Sequence, residues 1–278
     1  MSEKTEVIHS KIWQEVAEGD NPFAAATCYC SGYDVYGELL GRASWIEYLY
    51  LLFARERPNA AQARLLEGLA VALANPGPRD PSVHAAMSAG VGGSTHASCL
   101  MAALAAGAGQ LGGAHEVAIA LEYWQACGQD LAAWRERLRN PPRAERADIW
   151  QPMEHPPGFD PHGARCATPV RQTLAHLAAC SPGAALPWLD AQRVALEDAA
   201  GCPLALSGVA AAALTDLGFG PAAGEMLVLM LRLPGAAAHA LEQEELGWRH
   251  FPFFHDGLTL TDDPGPRPRH PVAAEVTV

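Results

Sequence analysis

Residues Ala222–Leu246 read AAGEMLVLMLRLPGAAAHALEQEEL, and the fold turns on how this stretch is understood. It is a long apolar run of helical character, yet it carries a guanidinium, Arg232, in its most oily part. Burying such a group without a carboxylate partner is expensive. Two readings follow: an internal ion pair with one of the protein's own acids, or a site that receives an anion. The segments before it have the same Ala/Leu-rich helical character. Ser44–Arg57 begins on a capping-box pattern, Ser44 with Glu47 three residues on, and stops before Pro58. Ala60–Leu73 stops at Asn75-Pro76-Gly77-Pro78. Ser82–Gln110 is long, nearly uncharged and rich in small residues, which predicts a buried helix at the domain centre. Further helices are expected over Ala114–Cys127, Asp130–Leu138, Thr168–Cys180, Pro187–Ala200 and Ser207–Leu217. The fold class is all-α.

Composition narrows the function. Of 278 residues, 49% are hydrophobic and 18% charged, with a net charge of −12, so a large core can be buried and no basic stripe exists for nucleic acid. No apolar run reaches the roughly 20 residues that a membrane span needs. The polar, acidic N-terminal stretch is neither a secretory signal nor a transit peptide, and the chain reads as cytoplasmic. Seven scattered cysteines fit buried thiols in a reducing compartment. Cys28 and Cys30 form C-x-C with no second pair at zinc-finger distance, so no metal is expected. Nothing matches a P-loop, a nucleophile elbow or a dinucleotide fingerprint. The stretch from Asn140 to Gly163 is Pro-rich and irregular, and the tail after Asp256 is expected to be extended or disordered.

Seven segments fall in the order found in the citrate synthase and citryl-CoA lyase superfamily, which includes the C-terminal module of ATP-citrate lyase. GYDVYGELLGRASWIEYLYLLFARERPN (32–59) resembles the family's N-terminal signature. NPGPRDPSVHAAMSAG (75–90) stands where Asp-His-Gly is followed by a buried helix, and GQLGGAHEVAI (109–119) resembles the His-Gly-Gly-Ala-Asn-Glu segment. PPGFDPHGARCATPVRQTL (156–174) resembles the Gly-Phe-Gly-His loop with its following Asp-Pro-Arg. CPLALSGVAAAAL (202–214) sits where Asn-Val-Asp is expected. MLRLPGAAAHALEQ (230–243) is similar to the Arg-x-x-Gly-x-x-x-His-x-x-Glu-Gln helix, and GWRHFPFF (247–254) follows it where a Tyr-Arg-Pro-like segment belongs.

The resemblance implies a helical homodimer. Residues 1–150 and 205–278 would form a large domain, with 151–204 as a small domain closing over a cleft. It implies an enzyme that makes or cleaves a carbon–carbon bond between an acyl-CoA and a keto acid, with a coenzyme A thioester as substrate. Arg171 and Arg232 would clamp a polycarboxylate, and Arg249 would reach a phosphate or carboxylate. The proton-handling positions depart from the pattern: Leu111 and Pro76 replace histidines, and Leu204 stands where the catalytic aspartate belongs. His162, displaced by about two positions in its loop, becomes the candidate acid/base with Asp160 beside it and His115 assisting. His84 is a candidate substrate contact. A second reading is a non-catalytic homologue that acts as a carboxylate or acyl-CoA sensor, or as the structural partner of an active paralogue.

Overall fold

Side-chain caps fix where several of the helices begin. The computed structural model describes residues 9–141, 153 and 155–251. Ser44 and Glu47 close a reciprocal capping box at the start of α1 (Trp45–Ala54), and Asn59 and Gln62 close a second at α2 (Ala60–Ala74). Asp80 caps α3 (Pro81–Val91), with proline at the first helical position, and Thr95 caps α4 (His96–Gly107). There follow α5 (Ala114–Cys127), α6 (Leu131–Arg139, capped by Asp130), α7 (Thr168–Cys180), α8 (Ala185–Ala200), α9 (Leu206–Asp216) and α10 (Pro221–Leu246). Pro234 lies inside α10 on an exposed face, where the carbonyl it leaves unpaired can turn to water.

The mostly helical reading holds, with one addition and one correction. The addition is a small antiparallel sheet, β1 (Trp13–Ala17), β2 (Ala25–Cys30) and β3 (Tyr33–Asp34), in that spatial order. Ser31 and Gly32, at φ 49° and 89°, make the two-residue hairpin turn between β2 and β3. Cys28 and Cys30, two apart on β2, are buried on one face, and Cys30 packs with Leu39 and Leu51. The correction concerns Ser82–Gln110. It is two helices, not one, because Gly92-Gly93 breaks the run (Gly93 at φ 79°) and Thr95 starts a new cap.

That pair is not the centre either. The α3–α4 hairpin packs on α10 around its own apolar cluster of Val83, Ala86, Met87, Cys99, Ala103, Ala236 and Ala240. The centre is α9, whose Ala210–Leu214 are fully buried. Side chains this small let α5, α7, α8 and α2 approach closely, and α10 lies alongside. The candidate small-domain segment contributes α7 and α8, which pack on α2, α6 and α9 within the main cluster. At the outer end of α5, Trp124, Trp134 and Trp188 meet with ring centroids 5.0–6.1 Å apart. Trp134 Nε1 donates to the Gly128 carbonyl at 2.9 Å.

Candidate functional site

The Gly-Gly loop before α5 is built around a carboxylate. Glu116 lies in the first turn of α5, on its buried side, with 2% of its side chain exposed. Its Oε1 accepts from the Gly158 amide at 2.8 Å and from the Ser207 hydroxyl at 2.7 Å. Its Oε2 accepts from the Gly112 amide at 2.6 Å, and His155 Nε2 lies 3.7 Å away. One acid thus ties together the loop before α5, the 155–163 loop and the start of α9. A buried carboxylate is tolerable only with its lone pairs this fully engaged.

The 158–163 loop runs antiparallel to 203–205. Phe159 pairs with Leu204, Asp160 N–H donates to the Pro203 carbonyl at 2.8 Å, and Ala205 N–H to the Gly158 carbonyl at 2.9 Å. Gly158 (φ 89°) and Gly208 face each other so closely that a Cβ on Gly158 would lie 2.9 Å from the Gly208 Cα. Leu204, standing where a catalytic acid is expected from the resemblance, is 2% exposed and lies under Gly208. Asp160 turns its Oδ1 to the His162 amide at 2.9 Å, an Asx-type turn that fixes the loop and leaves the His162 residue exposed.

On the other side of the Gly-Gly loop stands α10. Glu225, Arg232 and His239 recur every seven residues, two helical turns or roughly 10.5 Å apart along the axis, on one face. Glu225 Oε1 lies 3.4 Å from His115 Nδ1. Arg232 pairs with Asp80 through one terminal nitrogen, and through the other donates to the Gly112 carbonyl at 3.0 Å. His239 Nε2 meets Asn75 Oδ1 at 3.1 Å, and its Nδ1 meets Glu242 at 3.0 Å. Loop 75–80 therefore lies along this face, held at Asn75 by His239 and at Asp80 by Arg232. Between these two points, Gly235 lets Ala74 and Asn75 approach the helix backbone.

Of the candidate residues, the structure brings His115 and Arg232 to the same face of α10. Arg171, on α7, is exposed and donates to Thr168 at 3.2 Å on its own helix, so the two clamp arginines hold different partners. Arg249 is exposed, its guanidinium 5.6 Å from the Trp248 ring. The His84 ring lies 6.0 Å from that of Phe251. Leu111 is 61% exposed at the tip of the Gly-Gly loop. Burial raises the thiols of Cys166 and Cys202 above the ordinary range, Asp160 adding to the effect at Cys202. Among the described residues no group of three or more His, Cys, Asp or Glu is placed to hold a metal ion.

Sequence reasoning missed three of these residues. The sequence reading passes over Glu116, which stands next to the candidate His115. Its signal was a lone acid on the apolar side of a buried helix, which demands donors. Asp80 was hidden by its role as a helix cap, and His155 by the irregular segment around it.

No protein-family model matches this sequence, and no curated protein matches it either. The fold does have known counterparts. Citryl-CoA lyase from Hydrogenobacter thermophilus matches with a TM-score of 0.71 at 20% identity, over 94% of this chain and 97% of that one. Two ATP citrate lyases match with a TM-score of 0.65. That of Methanothrix soehngenii, in complex with citrate and coenzyme A, is 18% identical, and that of Methanosaeta concilii, in complex with (3S)-citryl-CoA, is 17% identical. Each covers 88% of this chain, which in turn spans 40% of their length. This is the mostly helical fold of citryl-CoA lyase. The resemblance read from motif order is borne out at the level of that fold. No helix among the described residues is long and apolar enough to cross a membrane.

Proposed function

We propose that this chain is a divergent citryl-CoA-lyase-type protein that takes an acyl-CoA and a small carbonyl or carboxylate compound, and makes or cleaves the carbon–carbon bond between them. The observation that carries the reading is the α10 face. There a partly buried guanidinium, a glycine carbonyl and the His115–Glu225 pair line one side of a junction that the 155–163 loop completes through Glu116. In the cleavage direction a base removes the proton from the substrate's hydroxyl. The carbon–carbon bond then breaks as a carbonyl forms, its electron pair passes to the thioester's α-carbon as an enolate, and an acid returns a proton there. His162, whose backbone amide Asp160 fixes in the loop turn, would take and return that proton. His115 would assist, and Arg171, Arg249 and His84 would serve as binding groups. Residues 151–204 would form the small domain over the cleft, and the protein would act as a homodimer.

One observation favours a second reading, a binding protein without turnover that serves as a sensor or as the partner of an active paralogue. Leu204 is sealed into the core, so no carboxylate can stand there. One pair of measurements separates the two. A coenzyme A thioester at roughly 100-fold excess over its Kd should add about 2.7 kcal/mol of stability, hence about 5–10 °C in melting temperature for a chain of this size. No shift with acetyl-CoA or citryl-CoA overturns both readings. A shift with turnover that His162→Ala abolishes supports the enzyme, whereas a shift without turnover supports the binding protein.

A further inference from the structure

Arg232 faces the junction with its guanidinium already occupied. Asp80 pairs with one terminal nitrogen and the Gly112 carbonyl with the other, and the two paired side chains are only 14% and 11% exposed. Asp80 is itself pinned. Its other oxygen accepts from the Ser82 amide at 2.9 Å and from the Ser82 hydroxyl, its own amide donates to the Gly77 carbonyl at 3.0 Å, and its carbonyl accepts from the His84 amide at 2.9 Å. The space beside this pair, bounded by Ser82, Gly107, Leu229 and Ala236 as well as Arg232, is about 10 Å³. That is room for one water molecule and not for a carboxylate.

The geometry points to Asp80 as a specificity-determining residue: its carboxylate fills the place at Arg232 that a ligand carboxylate would otherwise take. This rests on the reading of the α10 face as the ligand site. An anionic group arriving at Arg232 would meet Asp80 at close range and would have to displace it, which undoes the ion pair and the start of α3 together. The co-substrate fits the site when the part that lies beside this closed pair carries no carboxylate to compete with Asp80 for Arg232. A hydroxyacyl thioester or carbonyl compound with fewer carboxylates than citrate is thus the chemical class selected.

The test is a calorimetric titration of the full chain with citrate, malate and acetyl-CoA, using wild type, Asp80→Asn, Arg232→Ala and the double variant. Asparagine is as good a helix cap as aspartate, so Asp80→Asn keeps α3 and removes only the charge. Its melting curve and circular dichroism check that it folds, and Asp80→Ser gives a second capping substitution. The expected result is that wild type binds citrate at least tenfold more weakly than Asp80→Asn does, malate showing a smaller gain, and that adding Arg232→Ala cancels the gain. Citrate affinity equal in wild type, Asp80→Asn and the smaller Asp80→Ser overturns the proposal, as does a gain that survives the loss of Arg232. Acetyl-CoA binding by wild type reports separately on the ligand site. If acetyl-CoA binds and Asp80→Asn gains nothing, only the role of Asp80 falls; if neither acetyl-CoA nor citrate binds any form, the site falls with it.

Discussion

Gly112 serves two opposite charges: its amide donates to Glu116 and its carbonyl accepts from Arg232. The two neighbours are held very differently. Glu116 is sealed off, and its donors come from two backbone amides and a hydroxyl in three separate segments. Arg232 sits nearer the surface and has a single countercharge, contributed by the residue that also starts α3. The first arrangement holds loops together and leaves no access for a ligand. The second has a charge pair that another anion, or a changed residue, could exchange. A buried carboxylate held by amides and a hydroxyl from three segments is architecture, whereas a guanidinium whose one countercharge comes from a single residue is a point where specificity can be written.

The largest effect should come from Glu116→Ala. It strands the Gly112 and Gly158 amides and the Ser207 hydroxyl in the interior, and should cost about 3–5 kcal/mol in urea unfolding. A loss under 1 kcal/mol would mean that the junction is not what holds the three segments. Next in size is Arg232→Ala, expected to cost about 2 kcal/mol because Asp80 is left enclosed without its partner. Asp80→Asn with Arg232→Ala should cost less than the two single changes added together. A double-mutant cycle that sums to zero would deny the pair any coupling.

The third carboxylate in the series, Glu47, has the least enclosure. Backbone and side-chain hydrogen bonding to Ser44 holds its pKa below the ordinary 4.5. A depressed folded-state pKa means that its contribution is full above pH 4.5 and fades as pH falls through the folded value. Glu47→Gln keeps a capping box and should remove that acid-limb dependence, read as a flattened stability curve below pH 4.5. Ser44→Ala should cost about 1 kcal/mol above pH 4.5 and less below it, because the hydroxyl is part of what holds the Glu47 pKa down.

The helices were legible because their ends are spelled out: Ser44 with Glu47, Asp130, and the apolar spacing of Ala114–Cys127 all fall where the structure places them. The order of motifs carried the fold. The sheet was not legible, since β1 is exposed along its whole length and shows no alternation. The break at Gly93 was missed because small residues keep their apolar character through a turn as well as through a helix. The site was legible only in its cations. Arg232 announced itself as a charge in an oily helix, but which acid it would meet depends on a contact 152 residues distant in sequence. Loops that meet only in three dimensions, such as 158–160 with 203–205, leave no periodic trace.

The most direct measurement is a crystal structure of the full chain grown with a coenzyme A thioester. The account predicts the acyl end between the α10 face, the Gly-Gly loop and the 158–163 loop, within reach of His162 and His115, with the Asp80–Arg232 pair intact beside it. A thioester bound elsewhere, or an acyl carboxylate seated on Arg232 with Asp80 turned away, would contradict it.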